Sequence, residues 1–174
     1  TAEATYDMWV RDRRDHISVF SAMQNTRRKS YYGSDMDPNA YGRTDDIVVT
    51  AGSQWNHPMD RFLFMPAELV AGLEYSFNRL HDVTIGYDHD ILQCVNIYSA
   101  YLQNEWRNGR WGILLGARMD KHSLIKNPIV SPRVNIRFNP SDNFNFRASY
   151  STGFRSPQAY DEDFHVAIVG GERV

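Results

Sequence analysis

The stretch from residue 133 to residue 152 alternates between apolar and polar side chains almost without exception. Phe144 and Phe146 lie on one side of this alternation, and Arg137 and Arg147 lie on the other. Successive side chains of a β-strand point to opposite faces of a sheet, so a period of two predicts strands with an aromatic face and an arginine-bearing face. A fold that contains these strands must cover the first face and hydrate the second.

The same period recurs toward the N-terminus, and no stretch longer than two turns has the apolar spacing of a helix between proper caps. We predict about seven strands, at 16–28, 45–55, 67–77, 95–106, 111–120, 133–138 and 143–152. Most of these segments are longer than the roughly 5 to 6 residues of a typical strand. The pattern therefore predicts an all-β chain that forms an antiparallel up-and-down meander.

The predicted connections alternate in length along the chain. The short turns are HPMDRF (57–62), RNGR (107–110) and NPSD (139–142), whereas the longer polar loops are 29–44, 78–93, 121–130 and the residues after Phe154. Short turns at one end and long loops at the other are typical of outer-membrane β-barrels. The aromatic residues expected near the short turns, as a girdle at a membrane surface, are Trp55, Tyr75, Phe77, Trp106, Trp111, Phe138 and Phe144.

Composition and charge narrow the classes of protein. The 19 basic and 21 acidic residues leave a net charge of -2, which is too balanced for a nucleic-acid binder. The single Cys94 cannot form an internal disulfide. No run of about 18 apolar residues predicts a transmembrane helix, but a mean hydropathy of -0.54 is compatible with membrane β-strands because only alternate residues face lipid.

Catalytic and metal sites have little support in the sequence. No serine, cysteine or histidine stands beside a base at a spacing typical of nucleophilic catalysis, so we expect no enzyme and no cofactor. The acid and histidine clusters at 81–90 and 161–165 match no metal-binding motif. The alternative to a membrane barrel is a soluble β-rich module that binds a ligand or carbohydrate, with a solvated arginine face and aromatic side chains that stack on sugars.

The segment SPRVNIRFNPSDNFNFRASYSTGFRSPQAYDEDFH (131–165) resembles the TonB-dependent outer-membrane receptors of Gram-negative bacteria. The matching pieces are a strand that opens with Ser131, Pro132 and Arg133, the hairpin NPSDNFNFR, and STGFRSPQAYDEDFH at the following strand end. IYSAYLQNEW (97–106) followed by LLGARMDKHS (114–123) is similar to the hairpin just upstream in such receptors. The resemblance is good from about residue 67 onward and weaker before it.

The resemblance implies a 22-stranded outer-membrane β-barrel closed by an N-terminal plug. Such receptors take up a scarce nutrient of the iron chelate, haem or cobalamin class, with energy from the TonB complex acting through the plug. The chain departs from the family because it shows no plug, no TonB box and no signal peptide. We therefore expect residues 1–174 to be part of a barrel domain, with outer-membrane lipid, the nutrient and, through the missing plug, the TonB complex as partners.

The residues that could contact a ligand in the lumen or the extracellular loops are Arg133, Arg137, Arg147, Arg155, Asp161, Glu162, Asp163 and His165. The lumen arginines, with Arg118, have two interpretations. They could attract an anionic ligand, or they could pair with plug carboxylates or with Asp120 and Glu74 on neighbouring strands. The second is favoured because a barrel interior needs satisfied polar groups whatever the substrate. By itself the chain would leave two open sheet edges, so we expect it to self-associate or rearrange.

Overall fold

The structure, a computed structural model, describes residues 1–12, 14–31, 33, 37–84, 86 and 89–154. The strands are β1 (Ala2–Val10), β2 (Asp15–Tyr31), β3 (Tyr41–Phe62), β4 (Met65–Thr84), β5 (His89–Arg107), β6 (Trp111–His122), β7 (Ile129–Ser141) and β8 (Phe144–Ser151). A short 3-10 helix, Pro38–Ala40, precedes β3. In this part of the chain, no helix has the length and apolar character needed to cross a membrane.

All eight strands form one sheet in which each strand pairs with the next along the chain, in the order β1 to β8. Every pairing is antiparallel. The predicted all-β up-and-down meander is confirmed, and the sheet is open because β1 and β8 do not pair with each other within the described residues.

β1 is the strand that the prediction of seven omitted. Its residues alternate, because Ala2, Ala4, Tyr6, Met8 and Val10 lie on one side and Glu3, Thr5, Asp7 and Trp9 on the other. It pairs with β2 from Ala2 opposite Met23 to Val10 opposite Asp15. A period of two therefore marks this strand as well, and the prediction missed it.

The pairing register places apolar side chains from every strand on the same face of the sheet. Leu73 on β4 lies opposite Ala100 on β5, and Trp111 on β6 lies opposite Phe138 on β7. The exposed apolar residues that share this face include Tyr6, Val19, Met23, Leu73, Tyr98, Leu102, Leu115, Met119, Val130, Ile136, Phe146 and Tyr150. We call this surface the apolar face and the opposite one the polar face. Among the described residues only five hydrophobic side chains are buried, so this single sheet has almost no hydrophobic core.

The connections at one end of the sheet are two to four residues long and those at the other end are four to nine residues long, so the predicted asymmetry is present but smaller than expected. The turns at one end are residues 11–14, 63–64, 108–110 and 142–143, and the connections at the other end are residues 32–40, 85–88 and 123–128. We call these the short-turn end and the loop end.

The predicted connections are too long in several places. Most of 78–93 and both ends of 29–44 are strand, because β2 continues to Tyr31 and β4 to Thr84. The predicted turn 139–142 shrinks to 142–143, because β7 continues to Ser141. The turn predicted at 57–62 is also strand, and the chain reverses at residues 63–64, where Leu63 adopts a φ of 61°. These stretches mix polar and apolar residues on both faces, so they lack the alternation by which a half-buried strand is recognised.

Aromatic side chains collect at two levels of the apolar face. Near the short-turn end, Trp106 is buried, donates from Nε1 to the backbone oxygen of Phe62 at 2.9 Å, and stacks on Phe62 and Phe64. Toward the loop end, the rings of Tyr75 and Tyr98 lie 5.1 Å apart. Tyr75 was predicted near a short turn, but β4 begins at Met65 and places it ten residues farther on.

Candidate functional site

The polar face contains the lumen arginines predicted from the sequence. Among them, Arg118 on β6 makes the most hydrogen bonds. Its Nε donates to Asp120 Oδ1 at 2.8 Å, and its Nη2 donates to Glu74 Oε1 and to Ser99 Oγ, each at 2.8 Å. Ser99 Oγ in turn donates to Asp120 Oδ1 at 2.5 Å. The predicted pairing of Arg118 with Asp120 and Glu74 is therefore confirmed, and this cluster links β4, β5 and β6.

Arg137 and Arg147 are different, because they lie directly opposite each other on β7 and β8. Like charges at directly opposed positions destabilise an antiparallel pair unless a counter-charge is present. No salt bridge to either guanidinium occurs among the described residues. Arg147 Nε donates to Asn145 Oδ1 at 2.9 Å, and the buried Arg137 Nε has no hydrogen-bond partner in the same part of the chain.

Neighbouring positions extend this basic row. Gly112 on β6 lies opposite Arg137, and Arg107 on β5 lies opposite Gly112. The Arg137 side chain passes beside Gly112, where an added Cβ would make ordinary van der Waals contact with Arg137 Nε at 3.4 Å. Arg133, four residues along β7, faces Gly116 on one side and Ser151 on the other. We call Arg107, Arg133, Arg137 and Arg147 the arginine row.

Two open hollows lie over this part of the polar face. One has a volume of about 640 Å³ and is lined by polar residues that include Arg118, Arg133, Glu74 and Gln54. The other, of about 390 Å³, is lined by Arg137, Arg147 and Glu105 together with uncharged neighbours. The geometry suits carboxylate or phosphate groups, which guanidinium groups bind through paired N–H donors.

The remaining predicted contact residues, Arg155, Asp161, Glu162, Asp163 and His165, lie outside the described residues. The cluster at 81–90 does not form one site in its described part. His81 Nε2 lies 3.0 Å from Asp90 Oδ1, while Asp82 is buried on the opposite face and accepts from Thr44 Oγ1. Within the described ranges no group of three or more His, Cys, Asp or Glu residues could hold a metal ion.

Sequence reasoning missed Tyr101, which reaches across two strands of the polar face. Its hydroxyl donates to Gln54 Oε1 on β3 at 2.8 Å. The ring crosses β4 over Gly72, where any Cβ would collide with it. Register counting alone would have revealed this arrangement, because Gly72 lies opposite both Tyr101 and Gln54.

His122, at the loop end of β6, was also not singled out. It is fully buried, its Nδ1 accepts from the backbone N–H of Leu124 at 3.1 Å, and its ring meets Phe154 edge-on. Burial lowers the pKa of His122. The side chain is therefore neutral at pH 7 and secures the turn that leaves β6.

Comparison with known proteins adds one finding. A family model described as the β-barrel of TonB dependent receptor-like proteins matches residues 3–172 of the chain. A search of curated proteins finds no match.

Proposed function

The chain belongs to the TonB-dependent receptor β-barrel family, and from this membership we propose that it forms part of the wall of an outer-membrane receptor that imports a scarce nutrient with energy delivered through TonB. The family consists of outer-membrane transport receptors of Gram-negative bacteria and is not an enzyme family. The nutrient belongs to the iron chelate, haem or cobalamin class. Outer-membrane lipid, the nutrient and a plug that couples to TonB are the partners.

One observation supports this proposal most strongly: a single sheet has an apolar face across all of its strands and a polar face with arginines on β2, β5, β6, β7 and β8. In a transport barrel the apolar face contacts lipid and the polar face lines the lumen. The exposed fractions of Leu73, Phe146 and Tyr150 are 63%, 60% and 61%, which is appropriate for side chains that contact hydrocarbon. A soluble carbohydrate-binding module would instead cover this face in a core, so the structure favours the barrel.

The arginine row then lies on the lumen wall and needs anionic partners there. Carboxylates of the plug are the favoured partners, because the opposed guanidinium groups of Arg137 and Arg147 need counter-charges throughout the transport cycle. Arg118 lacks this requirement, since Glu74 and Asp120 already neutralise it. The second role for the arginine row is to contact an anionic nutrient during its passage.

Uptake assays test the proposed transport function. Cells that lack the gene should lose TonB-dependent uptake of one labelled nutrient among ferric chelates, haem and cobalamin, and a plasmid copy should restore it. The protein should fractionate with the outer membrane and migrate differently on a gel before and after heating. Recovery in the soluble periplasmic fraction, or unchanged uptake of all three classes, would contradict the proposal.

The role of the arginine row requires a separate comparison. Substitution of Arg137 and Arg147 by Gln should lower the thermal stability of the assembled receptor if the partners are plug carboxylates. If the nutrient is the partner, the same change should raise the concentration for half-maximal uptake and leave thermal stability unchanged. The Lys variants serve as the matched control, because they keep the charge and lose only the paired donor geometry.

A further inference from the structure

Basic side chains lie on the apolar face between the aromatic pair Tyr75–Tyr98 and the loop end. Arg79 lies four residues past Tyr75 on β4, and Lys121 lies two residues past Met119 on β6. The full set, which we call the basic rim, consists of Arg27, Lys29, Arg43, Arg79 and Lys121, all of them exposed.

The strand register places these residues on the same face as the lipid-facing side chains. Arg27 lies opposite Asp45, which lies opposite His81, and Lys29 lies opposite Arg43. Each is an even number of residues from an apolar-face position on its own strand, as Arg79 is from Phe77, and strands have a side-chain period of two. The basic rim is therefore an outward continuation of the apolar face.

The inner face at the same level has the opposite charge balance. Asp46 accepts from Asn78 Nδ2 at 2.7 Å, and Asp82 accepts from Thr44 Oγ1 at 2.5 Å. On the strands β2 to β4, Arg28 is the basic residue on this inner side. On the outer side at this level, the five cations of the basic rim outnumber two acids, Asp45 and Asp90, so the outer side is net positive and the inner side is not.

Internal pairing leaves the basic rim positively charged. Asp45 lies 3.4 Å from Arg27 Nε and 2.8 Å from Arg43 Nε, so one carboxylate is shared by two guanidinium groups. Lys121 Nζ donates to two uncharged backbone oxygens, those of Ile125 and Lys126, at 2.8 and 2.7 Å. Arg79 has no salt bridge among the described residues.

The basic rim lies at the level of lipid headgroups. With a rise of about 3.3 Å per residue and a strand tilt of about 40°, Arg79 stands roughly 10 Å beyond Tyr75. The same geometry, with strands about 4.8 Å apart, brings Arg27, Arg79 and Lys121 within roughly 5 Å of one height. Tyrosines occupy the boundary between hydrocarbon and headgroup, so cations just beyond them meet phosphate groups.

From these observations, and resting on the outer-membrane placement proposed above, we propose that the basic rim binds the phosphate groups of an anionic lipid in the outer leaflet. The acyl chains of that lipid lie along the apolar face at Leu73 and Tyr98, while its phosphates contact Arg27, Arg43 and Arg79. Arg43 and Arg27, held together by Asp45, supply paired donors of the kind that phosphate oxygens accept.

A lipid titration of the purified, detergent-solubilised receptor tests this site, with fluorescent diphosphoryl lipid A as the probe. The triple variant R27Q/R43Q/R79Q should bind the probe about a hundredfold more weakly at low salt, at roughly a factor of five for each cation. The variant R27K/R43K/R79K should stay within a few-fold of the original protein. Asp45→Asn should bind more tightly, because it removes the acid that competes with phosphate.

Matched controls and competitors separate the outcomes. The variant R14Q/R61Q/R110Q removes three exposed cations at the short-turn end and should leave the affinity unchanged. Inorganic phosphate should not displace the probe at comparable concentration, whereas unlabelled diphosphoryl lipid A should. Equal binding by the two Gln triple variants, or displacement by free phosphate alone, would overturn the proposal.

The titration also distinguishes this inference from the transport proposal. It measures lipid affinity directly and needs no uptake. A receptor that imports its nutrient but shows no dependence of lipid affinity on the basic rim contradicts the lipid site alone. Recovery of the protein in the soluble fraction contradicts the transport proposal, and the titration still decides whether the rim binds phosphorylated lipid.

Discussion

At the scale of single residues, Gly72 and Tyr101 show how a missing side chain on one strand permits a contact between two others. The Tyr101 ring occupies the space over Gly72, and its hydroxyl reaches Gln54 at 2.8 Å. The hydrogen bond therefore joins β5 to β3 over the intervening β4, which local strand pairing alone would not do.

We expect Gly72→Ala to destabilise the fold by about 1–3 kcal/mol, because the added Cβ displaces the Tyr101 ring and breaks its hydrogen bond to Gln54. Guanidinium unfolding of the micelle-refolded protein measures the change. Gly109→Ala is the matched control, since a Cβ there has no neighbour within 4 Å. Equal loss of stability in the two variants would exclude the proposed packing.

Asp15, at the short-turn end, is a second residue of interest, because its neighbours change the pKa of its carboxyl group. It is buried, its Oδ1 lies 2.6 Å from His57 Nδ1, and its Oδ2 accepts from Trp55 Nε1 at 3.2 Å. The hydrogen bond with His57 is the main cause that lowers the pKa of Asp15 below its ordinary value of 3.8, with help from Trp55 and from the charge of Arg11. Desolvation acts in the opposite direction.

The sign of this shift fixes a pH dependence. A carboxyl whose pKa is lower in the folded state stabilises the fold above 3.8 and loses that contribution as the pH falls through the lowered value. The original protein should therefore exceed Asp15→Asn in unfolding midpoint at neutral pH, and the difference should shrink in acid. A difference that stays constant, or that grows in acid, would refute the assignment.

At the scale of elements, the period of two decides what each strand position tolerates. Leu102 on β5 lies midway between the aromatic levels at Trp106 and Tyr98 and is 56% exposed on the apolar face. Gln103, the next residue, belongs to the polar face. One step along the strand therefore separates lipid from water.

Leu102→Arg should cost about 2–4 kcal/mol because it places a guanidinium near the middle of the bilayer. Gln103→Arg should change stability far less, since its side chain enters the hydrated lumen. Guanidinium titration of protein folded into vesicles measures both variants, and the folded fraction in outer membranes provides an independent check. If Gln103→Arg proved the more harmful variant, the two faces would be exchanged.

The sequence predicted the faces of the long strands well, because alternation is strong wherever one face meets lipid. It also predicted the pairing of Arg118 with Asp120 and Glu74. It missed β1, the last loop-end residues of β2 to β5, and residues 57–62 of β3. Outside β1, these stretches mix polar and apolar residues on both faces, so no alternation marks a strand there. The contact of Tyr101 with Gln54 was missed as well. The two residues are 47 positions apart in the sequence, and their contact depends on the register of three neighbouring strands.

At the scale of the whole molecule, the open sheet sets the behaviour of this chain by itself. β1 and β8 each present one unpaired edge within the described residues. Unpaired backbone groups in hydrocarbon cost several kcal/mol each, and in water the exposed apolar face favours association. The 174-residue chain should therefore form oligomers when it is produced alone.

Light scattering of the refolded 174-residue chain in mild detergent and in detergent-free buffer measures this association. We expect a mass above that of the 20.2 kDa monomer, and crosslinks between β1 of one copy and β8 of another. The receptor purified from outer membranes is the comparison, and in it the same crosslinks should be absent. A stable monomeric chain in detergent-free buffer would contradict the predicted exposure of the edges.

The unequal heights of neighbouring strands have a consequence for how solutes arrive. β5 begins at His89, whereas β6 ends at His122 opposite Ile97, so the upper eight residues of β5 have no ladder partner on β6. The loop-end margin of the sheet is therefore lower at β6 than at β5. In an assembled barrel we expect a bulky solute to enter the lumen over this low margin rather than over the two taller hairpins.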